Sequence, residues 1–177
     1  MKTFFTVRSA LLPLAIFIGL TAYGLPVLAI VAGLIASMIV AAWRLHSGEV
    51  KNLELVVVVI FAALCAGLFL FPVVVRSEAI ALAFVGLAVY ATMTVILRRS
   101  WTSEFSRAAY PTDAGSAVFV RINMILSALW AVLFLAIAVA EILNGGRIMN
   151  IAIVVIGGIA SVFGPKLLIR AFGAQRA

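Results

Sequence analysis

The chain has 177 residues, of which 66% are apolar and only 11% charged, with a formal net charge of +7. A water-soluble domain carries about a quarter charged residues, so this composition excludes an ordinary globular protein and calls for a bilayer. The thirteen Lys and Arg residues are dealt out between apolar runs rather than gathered into one stretch. That pattern marks loops facing anionic lipid and argues against a nucleic-acid partner.

Taken in order, residues 9–43 hold no charge at all, too long a run for one span of about 20 residues. Tyr23-Gly24-Leu25-Pro26 interrupts it with turn formers, which predicts two spans at 5–22 and 26–43. A charged segment, 44–51, leads to a third span at 53–72, and residues 73–77 read as a short turn. Further spans are predicted at 78–97, 118–140 and 148–169, with a loop over 98–117 between the fourth and fifth. The stretch runs on past Tyr23 without a polar cleavage region, so no removed signal peptide is expected.

The expected fold class is therefore all-α: a polytopic membrane protein, one integral domain over 1–177, a bundle of about six helices. Alternate loops test the count. With six spans, eleven Lys and Arg fall on one side and two, Arg76 and Arg147, on the other. The positive-inside bias then puts both termini and the 98–117 loop in the cytoplasm.

Small residues four apart let membrane helices approach closely. Ala29, Gly33 and Ser37 form such a row in the second span. Ala62 with Ala66 and Ala63 with Gly67 do so in the third, and Gly157 with Ser161 and Ala160 with Gly164 in the sixth.

Chemistry-bearing residues are few. Glu54, Glu78 and Glu141 lie at predicted span ends, where they can reach headgroups or water, and Lys166 can snorkel. His46 is the one histidine and Cys65 the one cysteine, so histidine-paired metal sites, thiolate clusters and internal disulfides are excluded. No phosphate-binding glycine loop occurs. The expectation is a non-enzyme with no catalytic residues, cofactor or metal.

Two groups remain. Tyr90 and Thr94 on the fourth span, and Asn123, Ser127 and Trp130 on the fifth, form polar stripes at matching depths that can bond the two helices or line a groove. Arg98, Arg99, Trp101, Arg107 and Arg121 suit a cytoplasmic rim that contacts lipid headgroups.

The order of short motifs adds a resemblance. Leu12-Pro13-Leu14 opens the first span, Trp43-Arg44-Leu45 leads into Val50-Lys51-Asn52, and the fourth span closes on Arg98-Arg99. Phe105-Ser106-Arg107 follows, and Arg121-Ile122-Asn123 runs into Leu129-Trp130-Ala131-Val132-Leu133-Phe134. Over residues 10–143 this order resembles the intracellular septation protein A family of bacterial inner-membrane proteins. Where that family usually has a proline after the paired bases, this chain has Ser100-Trp101. The resemblance implies a non-enzymatic role in envelope integrity and septation, through membrane lipids and envelope-synthesis or division proteins. It lends no catalytic residues, and points to Asn123 and Trp130. The alternative is a small homo-oligomeric transporter of lipids or hydrophobic compounds.

Overall fold

The structure is a computed structural model that describes residues 2–107, 116–143, 152–153, 155–161 and 163–164, with side chains from Leu11 onward. The described residues are helical, with no strand among them. Among the described residues, six helices have both ends given: α1 (Lys2–Ala22), α2 (Pro26–His46), α3 (Asn52–Leu70), α4 (Pro72–Ile96), α5 (Trp101–Ser106) and α6 (Ala117–Ile142). Four of them, α2, α3, α4 and α6, are long and apolar enough to cross a membrane. Among the residues of α1 whose side chains are described, Leu11–Ala22 form a further apolar helical stretch.

The break between α1 and α2 falls at the predicted turn. Gly24 takes a φ of 78°, open to glycine without strain, and Pro26 occupies the first turn of α2, where a missing N–H costs nothing. The next turn differs from expectation. Residues 73–77 are helical, because the chain reverses one step earlier, at Phe71 (φ −138°, ψ 58°), and Pro72 starts α4. The predicted helix start at Glu78 survives as a kink within α4 (φ −110°, ψ 18°).

The 98–117 segment is not a bare loop either. It contains α5, capped by Ser100, whose hydroxyl accepts the Ser103 N–H at 3.2 Å. Ser116 caps α6 in the same way, accepting from Phe119 N–H at 3.1 Å. Half of the predicted sixth span, 148–169, lies outside the described residues, as do Arg147 and Lys166; its described residues, 152–153, 155–161 and 163–164, are helical.

The chain divides into two compact units, Met1–Leu87 and Ala88–Ala177. In the first, α2 packs against α1 and α3. Its small row is buried as expected: Ala29, Gly33 and Ser37 all face inward. The knob that fills the hollow is Phe61 of α3, fully buried and edge-on to Phe17 at 5.2 Å. A Cβ on Gly33 would stand 2.5 Å from the Phe61 ring, so the approach requires glycine. On α3 the inward face is Leu53, Val57, Phe61 and Leu64, whereas Ala62, Ala63 and Ala66 are exposed. Of the rows expected there the alanines do not pack, because α3 supplies the knobs and α2 the hole, whereas Gly67 does make a close approach: a Cβ on it would stand 2.9 Å from Val75 of α4.

In the second unit α5 packs on α6. Gly157 brings its backbone against Trp130 and Leu133, where a Cβ would come within 2.7 Å of Leu133 Cδ1.

Candidate functional site

The polar chemistry of the second unit gathers on the seam between α5 and α6. Thr102 donates its hydroxyl proton to the Asn123 carbonyl at 2.9 Å. Its oxygen stands 3.1 Å from both the Ser127 and the Ser100 hydroxyls. Having spent its own proton, Thr102 accepts from both. Ser127 in turn accepts from the Thr102 N–H at 3.5 Å, and Ser100 from the Ser103 N–H. One turn along, Ser106 donates to Asn123 Oδ1 at 2.9 Å, and Asn123 Nδ2 donates to the Phe119 carbonyl at 2.9 Å. Each hydroxyl carries one proton and two acceptor sites, and this assignment gives every hydroxyl proton an acceptor. Thr102, Asn123 and Ser127 are all buried, where an unmatched polar group would be costly.

Beside this circuit lies an aromatic cluster. Trp101 stacks on Phe134 at 6.4 Å and 28°, and meets Trp130 at 6.4 Å and Phe105 at 6.0 Å, both edge-on. Trp130 in turn lies 5.3 Å from Phe134 and donates its Nε1–H to Ser161 at 2.8 Å. The pair Gly157 and Ser161, read as a small-residue row, thus forms the seat for Trp130. Trp101 is only 9% exposed, which corrects its expected place at a headgroup rim: the ring turns inward because α5 presents it to α6. Its indole N–H has no hydrogen-bond partner among the described residues.

The sequence-predicted residues divide accordingly. Asn123 and Ser127 bond α5 and, through the Asn123 amide, their own helix, rather than Tyr90 and Thr94. Thr94 donates to the Ala91 carbonyl of its own helix at 2.8 Å. The buried Tyr90 hydroxyl has no partner among the described residues. Arg98, Arg99, Arg107 and Arg121 are exposed. Arg98 sits in the left-handed region (φ 54°) and turns the chain from α4 into α5.

A second polar site, not anticipated, lies at the α2–α3 end of the first unit. Arg44 is buried, with Nη1 3.0 Å from Glu49 and Nε 3.5 Å from Glu54. Glu54 is 2% exposed and accepts the Lys51 N–H at 3.0 Å across the first turn of α3. The expectation that Glu54 reaches water or headgroups is therefore corrected; it faces the partner helix. The available signal was an arginine in the last turn of one helix and a carboxylate in the first turn of the next, joined by a tight turn that brings them together.

Neither site assembles a nucleophile with a base. The serine and threonine hydroxyls bond one another and backbone groups, and His46 is exposed at the end of α2. No group of three His, Cys, Asp or Glu residues placed to hold a metal occurs among the described residues. The arrangement fastens helices. Comparison with family models, characterised proteins and solved structures finds no match.

Proposed function

We propose that this chain is a non-enzymatic, multi-pass protein of the bacterial inner membrane that supports envelope integrity and septation through lipid or protein contacts. It crosses the membrane six times, with both termini in the cytoplasm. The observation that carries this reading is the α5–α6 seam: its buried hydroxyls and amide are consumed in holding a short helix in place, while the arginines around it stay exposed. A segment held at that cost in polar groups, yet offering no reactive pair, suits presentation of a surface. The charge bias across alternate loops and the motif order supply the orientation and the septation role.

The test is co-purification of the tagged protein from native membranes in mild detergent, with Asn123→Ala and Thr102→Val beside wild type. Envelope-synthesis or division proteins that accompany the wild type and are lost in both variants, at unchanged helical content, are the expected result. A clean homo-oligomer carrying a hydrophobic compound would instead favour a transporter.

A further inference from the structure

The turn that ends α4 runs against its own sequence. From Arg76 to Tyr110 there is no proline, and Gly86 is the one glycine. Leu97, Arg98 and Arg99 are good helix formers, so nothing local stops the helix at Ile96. It stops because Arg98 enters the left-handed region at φ 54°, where a Cβ crowds the backbone. Two hydrogen bonds close the turn: the Arg98 N–H donates to the Val95 carbonyl at 3.0 Å, and the Arg99 N–H to the Thr94 carbonyl at 2.8 Å. In this kind of helix stop the left-handed place usually belongs to glycine. The chain follows that rule after α1 and α2, where Gly24 and Gly48 take it.

What holds Arg98 in this strained place is the docking of α5. Thr102 is bonded to Asn123 and Ser127, Ser106 to Asn123, and Trp101 lies against Trp130 and Phe134. With six residues, α5 is too short to stay helical alone. Once off α6, its residues have α4 as their helical neighbour in the chain. With Arg98 returned to the right-handed region, α4 continues through Ser106 by about ten residues, or about 15 Å. That relieves the strain and extends an existing helix, which needs no new nucleus. The stretch from Arg107 to Ser116 reaches about 30 Å at full extension, enough chain for α5 to move. A strained residue beside a contact of individually weak hydrogen bonds supplies both parts of a two-position element.

We propose that α5 is a strap with two positions, docked on α6 or undocked as a continuation of α4, and that Arg98 is its hinge. The proposal rests on the reading above that the seam presents a surface, and it gives that surface a regulation. Docking displays α5 beside α6; undocking withdraws it and uncovers Asn123, Ser127 and Phe134.

The experiment uses the full chain with Cys65→Ser in phosphatidylcholine vesicles, with nitroxides on cysteines introduced at exposed positions. One pair is Arg107→Cys with Val120→Cys, the other Met93→Cys with Arg107→Cys. Ser106 bonds Asn123, about one turn from Val120, so the first pair is closely coupled in the docked chain. In the undocked chain the second pair lies about 21 Å apart, the length of about fourteen helical residues. Thr102→Val with Ser127→Ala removes the hydroxyl bonds between them and raises the undocked fraction about tenfold. Adding Arg98→Gly lowers it about tenfold, because glycine takes the left-handed turn freely and weakens the continuous helix. Arg98→Ala keeps the Cβ and leaves the fraction high, which separates backbone strain from lost charge. Three results would overturn the proposal: no long separation in the Thr102 and Ser127 variant, loss of coupling with a fall in helical content, or equal effects of Arg98→Gly and Arg98→Ala. The second would mean that α5 frays instead of joining α4. No partner protein is present, so failure here is separate from failure of co-purification.

Discussion

Thr102 shows how a single hydroxyl can fasten a short helix to its neighbour. It gives its proton to the Asn123 carbonyl and accepts from two serines. Thr102→Val keeps the shape and removes that junction, leaving the Asn123 carbonyl and the Ser127 hydroxyl short of partners. Interhelix hydrogen bonds in membranes average below 1 kcal/mol, and a buried group left unmatched adds to that, so the expected loss is about 1–2 kcal/mol in detergent unfolding. Thr94→Ala, which removes only a bond to its own helix, should stay within about 0.5 kcal/mol. Comparable losses in the two variants would mean that the α5–α6 circuit contributes nothing beyond local bonding. At the other buried site, Arg44→Ala leaves the Glu54 carboxylate without its facing cation. The expected cost is about 3 kcal/mol, read from the thermal midpoint, with Glu54→Gln milder because no charge is stranded. A more damaging Glu54→Gln would show that the hydrogen bond to Lys51 N–H outweighs the ion pair.

At the scale of elements, the α2–α3 contact depends on a hollow and a knob. Phe61 cannot swing away from a Cβ on Gly33, because it is fully buried against Phe17. Gly33→Ala should therefore cost about 1–3 kcal/mol through overpacking. Gly19→Ala in α1 meets nothing within 4 Å and should be neutral or gain up to about 1 kcal/mol from helix propensity. Thermal unfolding of the two variants side by side separates packing from propensity. The second span's small row was legible in the sequence because a spacing of four lays residues on one helix face. The third span's rows were equally legible, yet only Gly67 among them makes a close approach, to Val75. Spacing identifies a face; it does not say which helix provides holes and which provides knobs.

For the whole molecule, alternation of sides is the measurable consequence. In a Cys65→Ser background, cysteines at Ser47 and Ser116 should react with a membrane-impermeant maleimide only in inside-out vesicles. Tyr23→Cys and Phe71→Cys should react only from outside intact spheroplasts. Labelling of positions 47 and 116 from opposite faces would require an odd number of crossings between them and sink the six-span topology. A cysteine at Thr3 tests the first crossing, since it should share the side of position 47.

The sequence by itself determined that the chain is helical with several apolar spans, and where most of them begin and end. Charge-free runs, the Gly24–Pro26 break and the basic segments are local features, and lipid enforces them whatever the helices pack against. It also singled out Asn123, Ser127 and Trp130 as polar or amphipathic exceptions within an apolar run. Tertiary structure decided their partners: α5, hidden in what read as a loop, takes the hydrogen bonds expected of α4, and Ser161 takes that of Trp130. It likewise turned Trp101 and Glu54 inward. Six residues are too few to leave a periodic signature, and such a helix exists only because a neighbour buries one face of it and satisfies its polar groups.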